Sequence, residues 1–102
     1  MSEYYNLSAL AEQQIEAILA FTEDKFGTYQ ADAYAVGISK TFDLLAQFPD
    51  IGSDAAHIKS NWLKFRFQSH YIFYTQNEYR SGILIEAVIH ECRNVRSDVI
   101  EN

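Results

Sequence analysis

The spacing of apolar residues changes once along this chain, close to residue 61. Up to Phe48 they recur every three or four positions, which predicts helices, and from Trp62 they alternate, which predicts strands. A chain of 102 residues has room for one hydrophobic core. The sequence therefore predicts a single α+β domain over residues 1–102, with helices laid against a short, mostly antiparallel sheet.

The first half predicts a short strand followed by a helical hairpin. Residues 3–7 form the strand, and Ser8 offers a hydroxyl that caps the first helix. Gly27 ends that helix, since glycine adopts positive backbone angles without steric cost. The second helix runs from about Tyr29 to Phe48, where Pro49 stops it. Because so few residues separate the helices, they must fold back antiparallel.

The second half predicts a three-stranded antiparallel meander. Trp62–Phe67 alternates aromatic with mostly basic residues, as a half-buried strand does. His70–Gln76 is apolar on both faces and predicts a central strand, and Ile83–His90 predicts the third. The remaining segments are a predicted loop, a predicted turn and a polar tail, at residues 49–56, 77–82 and 91–102.

Charge and composition limit the classes of function. The formal net charge of −6 argues against a general nucleic-acid binder, so we predict no direct sequence-specific nucleic-acid binding. The acids concentrate in the first half, and residues 57–102 are weakly basic. The single cysteine, Cys92, fits a reducing compartment, and neither a signal peptide nor a membrane-spanning run is evident. We therefore predict a cytoplasmic protein.

No motif in the sequence predicts a metal ion or a cofactor. The three histidines, His57, His70 and His90, are scattered, without an HxH, HExxH or CxxC arrangement. Neither GxGxxG nor GxxxxGK[ST] is present to cradle a phosphate. We predict no metal site, no cofactor and no catalytic residues.

A metal-free ribonuclease is the enzymatic alternative, because cleavage at a 2′-hydroxyl needs only a base, an acid and cations. The candidates would be Lys64, Arg66, His70, His90 and Arg93. The structural interpretation is that the histidines bond nearby carbonyls at strand ends, and that Lys64 and Arg66 form a solvated strand face. The sequence leaves both interpretations open.

Seven short segments, in order and in register over about residues 4 to 93, resemble the ParE branch of the RelE/ParE toxin superfamily. The segments are YNLSALAEQQIEAI (5–18), FG (26–27), QADAY (30–34), LLAQFPDIG (44–52), KF (64–65), SHYIFY (69–74) and IEAVIH (85–90). The fold that this resemblance implies agrees with the helices and strands predicted from periodicity. His90 is followed by Glu91, Cys92, Arg93 and Asn94, where the family usually has His-x-x-Met-Asp.

The resemblance implies a bacterial type II toxin that is neutralised by a ParD-like antitoxin and forms an oligomer with it. Members of the ParE branch are typically non-enzymatic poisons of DNA gyrase. The alternatives are a RelE-like ribosome-dependent mRNA interferase and a toxin-fold protein that only binds its antitoxin. Because the C-terminal part is linked to toxicity in the family, the expected target-binding residues are His90, Arg93 and Arg96.

The architecture also predicts an antitoxin site. A hairpin packed on one sheet face should leave a groove flanked by aromatic residues, in which an amphipathic antitoxin helix could dock. Lys64 and Arg66 would attract an acidic antitoxin tail. The predicted antitoxin-binding residues are Trp62, Lys64, Phe65, Arg66, Tyr71 and Phe73.

Overall fold

Residues 5–76 and 82–93 are described by the structure, a computed structural model. The elements are β1 (Tyr5–Leu7), α1 (Ala9–Phe26), α2 (Thr28–Gln47), a 3₁₀ turn (Pro49–Ile51), β2 (Ser53–Asp54), β3 (Leu63–Phe67), β4 (His70–Gln76) and β5 (Ile83–His90). The α+β class is confirmed. The start of the predicted first strand, most of the predicted turn at 77–82 and the tail beyond Arg93, with Arg96, lie outside the described residues.

The helical hairpin forms where the sequence predicts it. Ser8 caps α1, because its side-chain oxygen accepts a hydrogen bond from the Ala11 N–H at 3.0 Å. Gly27 separates the two helices with φ at +93°, an angle that other residues rarely adopt. Its N–H closes α1 on the Glu23 carbonyl, and α2 begins at the next residue. The tight reversal brings the two helices side by side.

Within the described residues, the sheet has five strands in the order β1-β5-β4-β3-β2. The strands β3, β4 and β5 form the predicted antiparallel meander, and β1 joins β5 in parallel. The prediction of a plain loop at 49–56 is wrong: it contains the 3₁₀ turn and β2, which pairs antiparallel with β3 through Ser53↔Lys64 and Asp54↔Leu63. Two residues are too few to show periodicity, so the edge of β3 decides this pairing.

Both faces of the sheet are covered. Tyr34, Ile38, Phe42 and Leu45 of α2 pack with Ile72, Tyr74, Ile85 and Val88 to form the main core. On the opposite face, the segment from Ala55 to Trp62 packs on Phe73, Ala87 and Ile89 and forms a second, smaller core. The structure therefore has two apolar layers where the sequence suggested one.

A β-bulge in β5 decides which of its side chains face the helices. The register steps from Phe73↔Ala87 to Tyr74↔Ile85, so Glu86 is an extra residue. Strict alternation from Ile85 would have kept Ala87 with the main core, but the bulge transfers it to the second core. After the bulge, Val88 packs with the main core.

Candidate partner-binding groove

A groove of about 800 Å³ opens between α1, the first half of α2 and the ends of β4 and β5. Its apolar lining includes two large side chains that remain open to solvent, Phe21 at 60% and Phe26 at 68% exposed. Smaller apolar contributions come from Leu10, Ala17, Ile18 and Ala33. So much exposed apolar surface beside a concave wall is typical of a binding site.

The groove arises because α1 covers the sheet only partly. Ala11 is the fully buried residue of α1, whereas α2 buries five. A second stripe of α1, formed by Leu10, Gln14, Ala17 and Phe21, faces the groove. Sequence reasoning missed this stripe, although its spacing of three and four residues is itself helical. A search for two adjacent apolar stripes on α1 could have found it.

Two side-chain hydrogen bonds attach the start of α1 to the edge of β5. The strand β1 ends at the pair Leu7↔Ile85, so residues farther along β5 have side chains of α1 beside them. Ser8 Oγ donates to the Glu86 carbonyl at 2.8 Å. The Val88 N–H donates to Gln14 Oε1 at 2.7 Å. These bonds satisfy backbone groups at the sheet edge and fix one wall of the groove.

Tyr34, His70 and His90 form the polar end of the groove. The β4–β5 register places the two histidines opposite each other, with ring centroids 5.2 Å apart and planes at 89°. The Tyr34 hydroxyl lies 3.2 Å from His70 Nδ1, within hydrogen-bonding distance. His90 Nδ1 accepts the Cys92 N–H at 3.1 Å, so the proton of neutral His90 sits on Nε2.

Burial is the main influence on the protonation of Tyr34 and His70. It lowers the pKa of His70, and repulsion from His90 lowers it further, while the charge of Glu91 acts in the opposite direction. Burial raises the pKa of Tyr34 to about 12, so its hydroxyl stays neutral near pH 7. The free protein therefore favours an uncharged His70.

The structure corrects the predicted arrangement of the aromatic antitoxin-binding residues. Trp62 and Phe73 are 3% and 1% exposed, because the segment from residue 55 to residue 62 covers that sheet face. Phe65 packs toward the helices in the main core. Tyr71 lies on the opposite face, where the Lys64 ammonium is 5.2 Å from its ring centroid. These residues form no common groove.

Arg66 is already engaged by its neighbours. Its Nη2 lies 2.6 Å from Glu91 Oε2, and its Nε donates to the Gln68 carbonyl at 2.8 Å. None of the six predicted antitoxin-binding residues is among those that line the 800 Å³ groove. Contact between these six and an antitoxin stays a prediction.

The five candidate ribonuclease residues do not converge. Lys64 and Arg66 alternate with Phe65 along β3 and therefore point away from the helices. His70 and His90 lie in the groove on the helical side, together with Arg93. The sheet thus separates two of the cations from the histidines. Of the predicted target-binding residues, His90 and Arg93 both line the groove, and Arg96 lies outside the described residues.

Residues 5–76 and 82–93 contain neither a candidate metal site nor a candidate membrane-spanning helix. No group of three or more His, Cys, Asp or Glu side chains in these ranges could hold a metal ion. No helix there is both long enough and apolar enough to span a membrane.

The fold occurs in a known toxin–antitoxin structure. A chain of the chromosomal ParDE TA system from P. aeruginosa superposes with a TM-score of 0.72, covering 85% of this chain and 94% of that chain. At 12% sequence identity, this similarity defines the class of fold.

Sequence comparison defines the family. Toxin ParE1 of Caulobacter vibrioides is 27% identical over 95 residues, which are 91% of this chain and 94% of the relative. Toxin ParE1 of Mycobacterium tuberculosis strain H37Rv is 34% identical over 74 residues, 72% of this chain and 76% of the relative. The family model for the ParE toxin of the type II toxin–antitoxin system parDE matches residues 5–95. The chain belongs to this ParE toxin family, which confirms the resemblance seen in the sequence.

Proposed function

We propose that a ParD-like antitoxin neutralises this type II toxin by laying an amphipathic segment in the groove between α1 and the ends of β4 and β5. The observation that carries the proposal is the 800 Å³ groove, with Phe21 and Phe26 left open to solvent. Covering a phenylalanine side chain contributes about 1.5–3 kcal/mol. A flexible antitoxin segment that orders on binding needs such a gain to offset its loss of entropy.

Two matched substitutions test the location of the antitoxin. Phe21→Ser removes an apolar contact inside the groove, and Phe48→Ser removes one outside it from a side chain that is 55% exposed. With a purified ParD-like antitoxin as the titrant, we expect calorimetry to show the first variant weakening binding about tenfold or more. The second should bind like wild type. Equal losses in both variants would contradict the groove as the site.

A third variant tests the surface predicted from sequence. Lys64→Ala combined with Tyr71→Ala removes the cation and the ring that lie together on the opposite sheet face. If the antitoxin docks in the groove, this variant keeps wild-type affinity. A loss of affinity as large as that of Phe21→Ser would show that the antitoxin binds to that face instead.

The toxin acts, in this proposal, as a non-enzymatic inhibitor of DNA gyrase in the cytoplasm, and it assembles with its antitoxin into an oligomer. Membership of the ParE family supports this target, and the separation of Lys64 and Arg66 from His70 and His90 disfavours a ribonuclease site. Purified toxin added to gyrase and plasmid DNA should block supercoiling or trap cleaved DNA. Normal supercoiling at a large excess of toxin would rule the gyrase target out.

The two alternatives from the sequence predict other outcomes. An mRNA interferase would cut message in a translating extract, and His90→Ala or Arg66→Ala would abolish the cutting. A toxin-fold protein that only binds antitoxin would leave growth unchanged when expressed alone. We expect growth arrest without RNA cleavage.

A further inference from the structure

We propose that His70 and His90 form a subsite for one carboxylate of the antitoxin, at the polar end of the groove, and that the complex takes up a proton when this subsite is filled. The inference rests on the proposed function, since it assigns a specific contact to the antitoxin segment. The ligand is the carboxylate of an aspartate or glutamate side chain in the docked segment.

The charge around the groove supports an acidic ligand. The chain has fourteen Asp and Glu residues and a net charge of −6, yet no acidic side chain is among the described residues that line the groove. The ionisable side chains that could carry positive charge there are His70, His90 and Arg93. An incoming carboxylate meets the least repulsion at this end of the groove.

The histidine pair supplies the geometry. The rings meet edge to face across β4 and β5 with centroids 5.2 Å apart, so two protonated rings would repel each other strongly. A carboxylate bound by both rings would offset that repulsion and accept an N–H from each. Without such an anion, the pair favours one charge at most.

Groups on every neighbouring element are compatible with this role. From α2, the Tyr34 hydroxyl contacts His70 and remains neutral. After β5, Glu91 is the nearby acid, and Arg66 from β3 pairs with it at 2.6 Å. Arg93 lies along the same groove wall. Glu91 is thus already engaged, and a partner carboxylate would be the additional anion.

The direction of the pH effect follows from these contacts. Burial and the charge of His90 hold the pKa of His70 below its ordinary value in the free toxin. A bound carboxylate favours the charged imidazolium and raises that pKa, so binding takes up a proton. Affinity should therefore increase as the pH falls toward the ordinary histidine range. Uptake of one proton changes the dissociation constant by up to about tenfold per pH unit in that range.

Calorimetry of the toxin with its antitoxin tests this linkage. We expect binding to be about three- to tenfold tighter at about pH 6 than at about pH 8, with protons taken up in buffers of different ionisation enthalpy. His70→Asn and His90→Asn place an amide group where each Nδ1 stood, which can keep the contacts to Tyr34 and to the Cys92 N–H. The double variant should lose both the pH dependence and the proton uptake.

The control variant is His57→Asn, which removes a histidine from the segment that covers the opposite sheet face. It should keep the wild-type pH dependence. NMR titration of the wild-type imidazoles gives a readout that needs no variant, because the pKa of His70 should be higher in the complex than in the free toxin.

Different results separate this inference from the proposed function. A complex that forms without proton uptake, or a double variant that retains the uptake, would overturn the subsite and leave antitoxin binding intact. Absence of any complex would overturn both proposals.

Discussion

Gln14 of α1 accepts a hydrogen bond from the backbone N–H of Val88 in β5 at 2.7 Å, across 74 positions of sequence. A side-chain amide thereby occupies the place that a neighbouring strand would take at the edge of a sheet. The contact joins a helix and a strand that both line the groove. It also explains how a polar residue fits into a mostly apolar stripe of α1.

Replacement of Gln14 should destabilise the free toxin. Gln14→Ala leaves the Val88 N–H without its acceptor, which costs about 1–2 kcal/mol of unfolding free energy. Gln14→Glu retains an acceptor oxygen and should lose less. Gln13→Ala, on the exposed side of the same helix turn, is the matched control and should change little. Urea unfolding measures all three. Equal effects at positions 13 and 14 would show that the bond contributes nothing.

Removal of the Tyr74 hydroxyl should destabilise the folded toxin, even though the ring itself would stay packed in the core. The buried hydroxyl donates to the Pro49 carbonyl at 2.8 Å and accepts the Gly52 N–H at 2.9 Å, so it anchors the turn that precedes β2. Tyr74→Phe leaves both backbone groups unpaired and should cost about 2 kcal/mol.

Unfolding in urea and amide exchange at Gly52 report the effect of this substitution. Tyr29→Phe is the control, since Tyr29 is 85% exposed. Unchanged exchange at Gly52 in the Tyr74 variant would contradict the anchoring role.

The free toxin should lose stability in mild acid through His70. Burial and the neighbouring His90 lower the pKa of His70 in the folded state, so the unfolded chain binds the proton more readily. This contribution is fully present above the ordinary histidine pKa of about 6.5 and is lost as the pH falls through the lower folded value.

His70→Asn isolates this histidine from the other titrating groups. Urea midpoints measured at about pH 7.5 and about pH 5 should differ more for wild type than for the variant. If wild type and variant lost the same stability between these pH values, the loss would come from carboxylates and not from His70. A fall in pH should thus lower the free energy of unfolding of the free toxin and raise its affinity for the antitoxin. Because the two effects have opposite directions, the two measurements can be told apart.

Most of the secondary structure could be predicted from the sequence because its signals are local. Ser8 and Gly27 act on their own helix ends, and Pro49 stops α2 through its ring and missing N–H. The alternation around Phe65 marks β3 without knowledge of its neighbours. The family resemblance added the type of protein, which these local signals do not contain.

The aromatic residues predicted to bind the antitoxin do not share one groove, and the reason is physical. Aromatic side chains such as Trp62 and Phe73 are common both in interfaces and in cores. They are buried here because residues 55–62 cover them. The bulge at Glu86 likewise breaks the simple alternation of side chains along β5. Sequence reasoning nevertheless named His70 and His90 as candidates, and their direct pairing appears once the strands are in register.

Local signals in the chain were enough to predict the α+β class, the helical hairpin and the antiparallel meander, since caps, turns and periodicity depend on residues close together in sequence. Tertiary structure decided the edge strand β2, the second core and the groove, because each depends on which distant surfaces meet. The groove exists because α2 covers the centre of the sheet and leaves a stripe of α1 exposed. That division of burial between two amphipathic helices is a property of packing, which neither helix specifies alone.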